Sequence, residues 1–579
     1  MNTDTIPKEI TTDIDVIVVG SGAGGMLAAI RAHDLGLKVL LIEKSDRYGG
    51  TSAVSGGAIW IPNNSESPNE DSTQKALDYL RSVTEGLVLD AKLSRYVETA
   101  PQVPVYLKEV GVRYYTHPTE SYPDYYPFAP GALSSGRTMF VKPIDGAILG
   151  DEFFRMRETH PEYQLFGKIA LDVTEGTQLL VQAKGWQWTL LRVLFGYWSK
   201  IGWRRRTYRD RRLTNGMALI GGLRKALADR DISLQLKMRL KRILMENERV
   251  SGIVVERDGR ELRFSVACGV ILASGGFEQD QVLRDRYLGN ATRTQWSATP
   301  RGNNTGDALQ AALALGADTE FMNEAWWAPS IPMPSIDAPN TVRNIPLFFE
   351  RGYPHSLAVN RLGKRFTNEA CSYHQFGQAM LRDNVATGAN LPCWFIFDAS
   401  FREQYPLGGL SPGTIVPDSK LPLNWIDNLF YCADTLAGLA EKIAVPPQVL
   451  GDTVERFNAF ARLGVDAEFK RGGNFHNLFY GDPRHKPNRT LGELIKAPFY
   501  AVQLDLGDIG TKGGPKTDED ARVLGKNGCP IEGLYAVGNV AGSVMGGAYP
   551  GAGATLGAAL TFACIAAAHI ASKEKITTA

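Results

Sequence analysis

A glycine-rich turn between two apolar runs constrains this chain more than any other feature. Residues 14–19 read IDVIVV, a β-branched run suited to a strand covered on both faces, and Gly20-Ser21-Gly22-Ala23-Gly24-Gly25 follows without a break. MLAAIRAHDLG then reads as a helix that stops at Gly36, and KVLLIEK supplies a second strand ending at Glu43. Strand, glycine turn, helix, strand and acid form a βαβ dinucleotide-binding unit. Gly20 makes the tight turn, Gly22 lets the backbone approach a pyrophosphate, and Gly25 lets helix and strand pack closely. The helix N-terminus at Ala23 and Gly24 offers N–H groups and a positive dipole end to the phosphates. Glu43, 23 residues beyond Gly20, is at the right distance to accept hydrogen bonds from ribose hydroxyls, with Lys44 beside it.

The turn alone does not choose between NAD and FAD. Gly50-Thr51-Ser52 and Ser55-Gly56-Gly57 come directly after the acid strand, which suggests a cofactor running on past its ADP half. Residues 266–280, VACGVILASGGFEQD, form another buried strand ended by Ala273-Ser274-Gly275. Upstream of it lies a hairpin with Asp258-Gly259 as its turn. Near the C-terminal end a strand (533–539) closes on Gly538-Asn539, followed by GGAYPGAGATLGAAL and a helix starting near Gly553. No second complete GxGxxG unit is visible, so a separate pyridine-nucleotide site is not expected.

At 579 residues the chain has room for two to four domains, at roughly 100–200 residues each. Lys+Arg 63 against Asp+Glu 62 leaves a net charge of +1, so no global field recruits nucleic acid. Six cysteines with no CxxC pair read as buried, reduced thiols, and eight scattered histidines give no metal-ligand spacing. The polar, acid-bearing N-terminal stretch lacks a leader pattern, which points to a cytoplasmic protein. Residues 533–572 contain no Asp, Glu, Lys or Arg, but their Gly/Ala content and Pro550 read as a ligand loop and a buried helix rather than a membrane span.

These pieces together resemble the flavoprotein superfamily of fumarate reductase and succinate dehydrogenase flavoprotein subunits, in which both chain ends meet on one FAD. The resemblance implies an α/β fold: a Rossmann-like FAD-binding domain over 1–325 and 500–579, with an α+β catalytic domain inserted at 326–499. It puts Gly20, Gly22, Gly25 and Glu43 on the ADP half, Thr51, Ser52 and Gly57 near the flavin, and Asn539 near the ribityl chain. The helix N-terminus around Gly553, Ala554, Thr555 and Leu556 then faces the pyrimidine end of the flavin. TSAVSGG (51–57) lacks the histidine that carries covalent FAD in some relatives, so non-covalent FAD is expected. Where fumarate reductases place a cation, the C-terminal loop here has Tyr549 in a glycine-rich turn, which favours a neutral carbonyl over two carboxylates.

Three stretches narrow the family: SYPDYYP (121–127), NRLGKRFTNE (360–369) running on to Ser372-Tyr373, and YPGAG (549–553). With GDIGTKGG (507–514), this pattern resembles the 3-ketosteroid Δ1-dehydrogenases. The resemblance implies Tyr373 as the base for the C2 proton, Tyr125 as its support, and Tyr549 with the Gly553 N–H as the binders of the C3 oxygen, the C1 hydride leaving to flavin. Tyr122 and Tyr126 are close enough in sequence to be mistaken for Tyr125. Ala552 stands where the family often has a second proline. The chemistry suits the residue types: a C–H beside a ketone is a weak acid, so donors must hold the developing enolate while a tyrosine with neighbouring donors takes the proton. Rival readings are a flavin dehydrogenase or reductase acting on another steroid bond or an enoate, and a flavin protein without turnover.

In the insert, the turn 360–363 is expected to precede a strand, Ala433-Asp434-Thr435 to form a helix cap, and Pro446-Pro447 to open the next. His374 reads as a surface or wall residue, Arg365 and Glu369 as a surface pair, and Trp326 and Trp327 as pocket walls. Residues 184–212 hold nine Lys/Arg and one Asp, interleaved with tryptophans. This composition suits contact with the inner face of an anionic membrane, where a sterol and a quinone-like electron acceptor would be met, and equally suits an amphipathic helix covering the FAD domain.

Overall fold

Two large sheets, of ten and six strands, organise the described residues. The computed structural model describes residues 8–10, 13–67, 70–117, 122–180, 183–289, 292–334 and 342–577. The first seven residues, and Ser121 of the tyrosine motif, lie outside the described residues. The strand Val16–Val19 is buried on both faces between Val39–Ile42 and Gly269–Leu272, all parallel, as its unbroken β-branched sequence requires. Beyond them lie Ser233–Gln235 on one side and Pro530–Ala536 on the other, so a strand from late in the chain sits next but one to the first. Asp258 and Gly259, both at positive φ, make the two-residue hairpin turn between Arg249–Arg257 and Arg260–Ser265.

The helix Ala23–Asp34 packs on one face of this sheet, against the long last helix, Ala554–Thr577. A Cβ on Gly24 would stand 3.3 Å from the Ala559 carbonyl, so the small residue sets how closely the two helices approach. By length and composition the segment Ala554–Lys573 could cross a membrane, yet two-thirds of it is buried in the protein core.

The second sheet is antiparallel, in the order Val342–Pro346, Ala325–Pro334, Phe499–Thr511, Cys393–Asp398, Ser356–Val359. Phe499–Thr511 also pairs with Phe430–Ala433. This central strand begins where the inserted domain was expected to end, and it carries the sheet back toward the parallel layer. The mixed α/β architecture, a parallel dinucleotide-binding layer plus an antiparallel insert, is thus the one the motifs implied.

Local details differ from expectation in three places. The turn 360–363 follows the strand Ser356–Val359 rather than preceding one, because the asparagine side chain folds the backbone back on itself by accepting from Leu362 and Lys364. Of the six cysteines only Cys268 and Cys393 are buried, and Cys529 is exposed, because it sits in a tight Asn-Gly turn at the sheet edge. Arg365 and Glu369 are not a surface pair: both are buried, and with Asp466 and Arg471 they form a four-charge network inside the insert. Thr435 does cap its helix through Gly438 N–H, and Pro447 opens the next.

Candidate active site

A single large cavity of about 1420 Å³ runs from the glycine turn to the interface with the antiparallel sheet. Gly20, Gly22, Ala23, Gly24, Glu43, Lys44, Gly50, Thr51, Ser52, Ser55, Gly56 and Gly57 line it from the N-terminal part. Ala273, Ser274, Gly275, Gly538, Asn539, Gly553, Thr555 and Leu556 line it from the remainder of the parallel layer. Two expected residues do not reach it. Gly25 lies beneath the turn, where a Cβ would come within 1.9 Å of the Gly20 carbonyl oxygen. Ala554 is buried behind the helix terminus, its N–H donated to Gly551 O.

The end of the cavity at the glycine turn is organised by short side chains. Glu43 Oε2 accepts from the Ser21 N–H (3.0 Å) and hydroxyl (2.7 Å), and Oε1 accepts from Ser45 N–H. Lys44 is held by Asp307 (3.0 Å) and Thr305. Ser52 Oγ accepts from Ala23 N–H at 3.1 Å, fixing the short helix Gly50–Val54 against the start of the first one. Asn304, at positive φ and donating to Thr51 Oγ1, was missed from sequence because no motif surrounds it. The set fits a flavin dinucleotide: a backbone-lined turn at one helix N-terminus, a carboxylate on the next strand, and a second helix N-terminus at the far end.

At that far end three tyrosines form a triangle. Ring centroids are 5.5 Å apart for Tyr125–Tyr373, 5.4 Å for Tyr125–Tyr549 and 5.4 Å for Tyr373–Tyr549. Each ring has a separate anchor. Tyr373 opens the helix Tyr373–Thr387, whose N-cap Ser372 accepts from Gln375 N–H. The Tyr125 N–H donates to Pro550 O at 2.8 Å, so the two tyrosine loops are stitched to each other. Neighbouring Asp124 is buried and takes hydrogen bonds from Trp60, Leu133 and Arg137, which fixes the turn. Tyr549 lies 3.3 Å from Thr555 Oγ1 and receives the Gly553 N–H. Gly553 has φ +92, and a Cβ there would meet the Ala58 carbonyl at 2.6 Å, so no other residue presents that N–H so readily.

Tyr122 and Tyr126 have other work. Tyr126 offers its hydroxyl to the Tyr549 N–H, and Tyr122 packs on Phe140 and Phe479. Tyr480, unflagged by any motif, hydrogen-bonds Tyr125 and packs edge-on to Tyr122. Burial drives the Tyr373 hydroxyl well above its usual range, and the Tyr125 and Tyr549 hydroxyls beside it push the same way. Tyr549 is raised less, because Thr555, Tyr373 and the Gly553 N–H offset its burial. Thus the side chains around Tyr373 do not by themselves lower it.

The rest of the cavity is largely apolar. Leu165, Phe166, Trp186, Met333, Phe348 and Trp425 all line it. Trp326 and Trp327 are not walls: both are buried, the first with its ring 4.8 Å from Tyr549. His374 is neither surface nor wall; it is fully buried and 2.7 Å from Gly547 O, because its helix runs inward under the loop. Among the described lining residues Lys44 is the sole lysine or arginine, and it follows Glu43 on the strand beside the glycine turn.

A family model described as FAD binding domain matches residues 15–556. The chain is 38% identical to the 3-oxosteroid 1-dehydrogenase of Comamonas testosteroni, over 97% of each chain. It superposes on the solved 3-ketosteroid Δ1-dehydrogenase of Sterolibacterium denitrificans in complex with 1,4-androstadiene-3,17-dione, with TM-score 0.92, 46% identity, and 97% and 100% of the two chains covered. A flavocytochrome c3 fumarate reductase shares the fold at TM-score 0.61 and 19% identity, covering 98% of this chain and 78% of that one.

Proposed function

From the premise that this chain belongs to the FAD-binding 3-oxosteroid 1-dehydrogenase family, we propose that it removes two hydrogens across C1–C2 of a 3-ketosteroid. One observation carries the reading: Tyr373, Tyr125 and Tyr549 converge with the Gly553 N–H at one end of the cavity, with no lysine or arginine lining that end. A dicarboxylate would need cations there, whereas a ketone needs neutral donors.

The Tyr549 hydroxyl and the Gly553 N–H beside it hold the C3 oxygen as negative charge develops on it. That polarisation acidifies the C2–H bond, and Tyr373 takes the C2 proton. Tyr125, bonded to both Tyr373 and Tyr480, holds the base in place. FAD, when bound, supplies the acceptor for the C1 hydride. The C2–H electron pair becomes the new C1=C2 bond. Glu43, Ser21 and the glycine turn bind the adenosine half, and no histidine lies in residues 50–57, consistent with FAD held without a covalent bond.

The same reading extends to where the enzyme works: a peripheral site on the inner face of the membrane. The helix Trp186–Trp198 turns Trp188, Leu191, Phe195 and Trp198 outward, all more than half exposed, and an arginine-rich stretch follows at 204–212. Its other side carries Trp186 and Leu190 into the cavity wall. A membrane contact there brings a sterol and a quinone-like acceptor to the cavity mouth.

The test is anaerobic. Androst-4-ene-3,17-dione added to the yellow holoenzyme without acceptor bleaches the flavin band and yields the 1,4-diene. Failure with this and with a long-chain sterol ketone, alongside turnover of fumarate or an enoate, overturns the reading.

A further inference from the structure

Gly546, Gly547 and Ala548 lead into Tyr549, and all three carbonyls are taken by donors from outside the loop. Lys512 Nζ donates to Ala548 O at 2.5 Å and to Gly546 O at 3.3 Å. His374 Nε2 lies 2.7 Å from Gly547 O, and Gln378 Nε2 donates to the same oxygen at 3.1 Å. The next amide is held too, the Tyr549 N–H going to Tyr126. The Lys512 ammonium lies over the Trp326 ring, 4.4 Å from its centroid, and that ring stands edge-on to Tyr549 while its Nε1 donates to Asn539 Oδ1. Lys512 and His374 are both fully buried, and neither lines the large cavity.

A cation is therefore present near this loop after all, but beneath it, with its hydrogen bonds directed at backbone. Among the described residues no carboxylate forms an ion pair with it. Burial moves its pKa down to about 7, against the pull of Glu324. Such a group is costly, and an apolar side chain would fill the space at less cost, so its presence calls for a role beyond stability. The loop explains the need. Two glycines and an alanine have no side chain with which to fix their own backbone, and Gly546 has φ +53. His374 follows Tyr373 in sequence, so its bond to Gly547 O also ties the base's helix to the carbonyl-binding loop.

We propose that Lys512, with His374 and Gln378, is a positioning clamp: it fixes the 546–548 backbone, and through it the Tyr549 hydroxyl relative to Tyr373. None of the three touches the substrate; they act through Tyr549. The inference rests on the assignment of Tyr549 as the residue that holds the C3 oxygen.

A double-mutant cycle on the holoenzyme tests it. Lys512→Met, Tyr549→Phe and the double variant are compared with wild type by stopped-flow flavin reduction with androst-4-ene-3,17-dione, and by steroid Kd from the flavin spectral shift. Lys512→Met should slow reduction by roughly 10- to 100-fold, the range expected for misplacing a reacting group by about 1 Å. In the Tyr549→Phe background the same change should cost less than about threefold. Equal losses in both backgrounds mean a merely structural role and overturn the proposal. Should Lys512→Met not retain FAD, Lys512→Gln, which keeps a donor, and Gln378→Leu are run in the same cycle and judged by the same comparison. If wild type binds steroid without bleaching, the dehydrogenase reading fails while the clamp is still decided by the Kd cycle. If no steroid binds, both fail.

Discussion

Tyr373 and Tyr549 stand with ring centroids 5.4 Å apart at 56°, one opening a helix beside the antiparallel sheet, the other closing a glycine loop above the parallel one. On the proposed reading one is the proton acceptor and the other the oxygen-binding donor, so their variants should fail differently. Tyr373→Phe should slow anaerobic flavin reduction by roughly 10²–10⁴-fold with little change in steroid Kd. Tyr549→Phe should cost about 2.7–4 kcal/mol of barrier, roughly 10²–10³-fold, and also weaken ketosteroid binding. Stopped-flow absorbance with parallel titrations separates the two; identical effects on Kd would refute the division of roles.

The Tyr373 hydroxyl is raised by burial and by two neighbouring hydroxyls. Its proton-accepting form is therefore a minor species at neutral pH, and that form grows as pH rises. The flavin-reduction rate should climb between pH 7 and 10, by up to about tenfold per unit. Tyr373→Phe should leave a flat residual profile. A wild-type rate that does not rise would contradict tyrosine as the base.

Gly25 admits no side chain, since a Cβ would sit 1.9 Å from Gly20 O and 3.2 Å from Ala273 Cβ. Gly25→Ala should be purified largely colourless, read as the ratio of protein to flavin absorbance. Gly451→Ala, in a helix with open space around it, should keep its flavin and gain up to about 1 kcal/mol of stability.

Arg365 bridges Glu369 and Asp466, with contacts of 2.8 Å to each. Burial alone would raise both carboxyls, but the arginine outweighs it and holds them below their ordinary range. The network's stabilisation is therefore complete at neutral pH and is lost only as pH falls through those lowered values. Arg365→Met leaves two buried carboxylates sharing Arg471 and should destabilise by about 3–5 kcal/mol, visible as a lower Tm. The flavin spectrum at 25 °C should be unchanged.

The outward face of the helix Trp186–Trp198 should report on membrane contact. Co-sedimentation with vesicles containing anionic lipid should fall at least tenfold in Trp188→Ser/Phe195→Ser, with bleaching by a soluble steroid intact. Unchanged sedimentation would remove the membrane from the proposal.

Legibility tracked how local each constraint is. The strand–turn–helix around Gly20 was readable because its glycines, spacing and acid lie within 30 residues and serve one shape. The tyrosines at 125, 373 and 549 were readable only through family motifs, since nothing in their local sequence says that they meet. Tyr480 and Asn304 carry no motif and were missed. His374, Arg365 and Glu369 were misjudged because polar residues in a helix or loop read as exposed, while here buried partners from distant segments satisfy them. The central strand Phe499–Thr511 looked like part of the cofactor layer, but its pairing is fixed by neighbours far away in the chain, at 325–330, 393–398 and 430–433.

The cofactor cavity takes one wall from residues 20–57 and another from 538–556. A ribosome that has made the first 500 residues has therefore produced the glycine turn and the acid, but not the Asn539 edge, the Tyr549 loop or the last helix. Loading with flavin must wait until nearly all of the chain has emerged. During translation the apolar face of the Ala23–Asp34 helix, later covered by Ala554–Thr577, stays uncovered and is open to aggregation until the last helix is made.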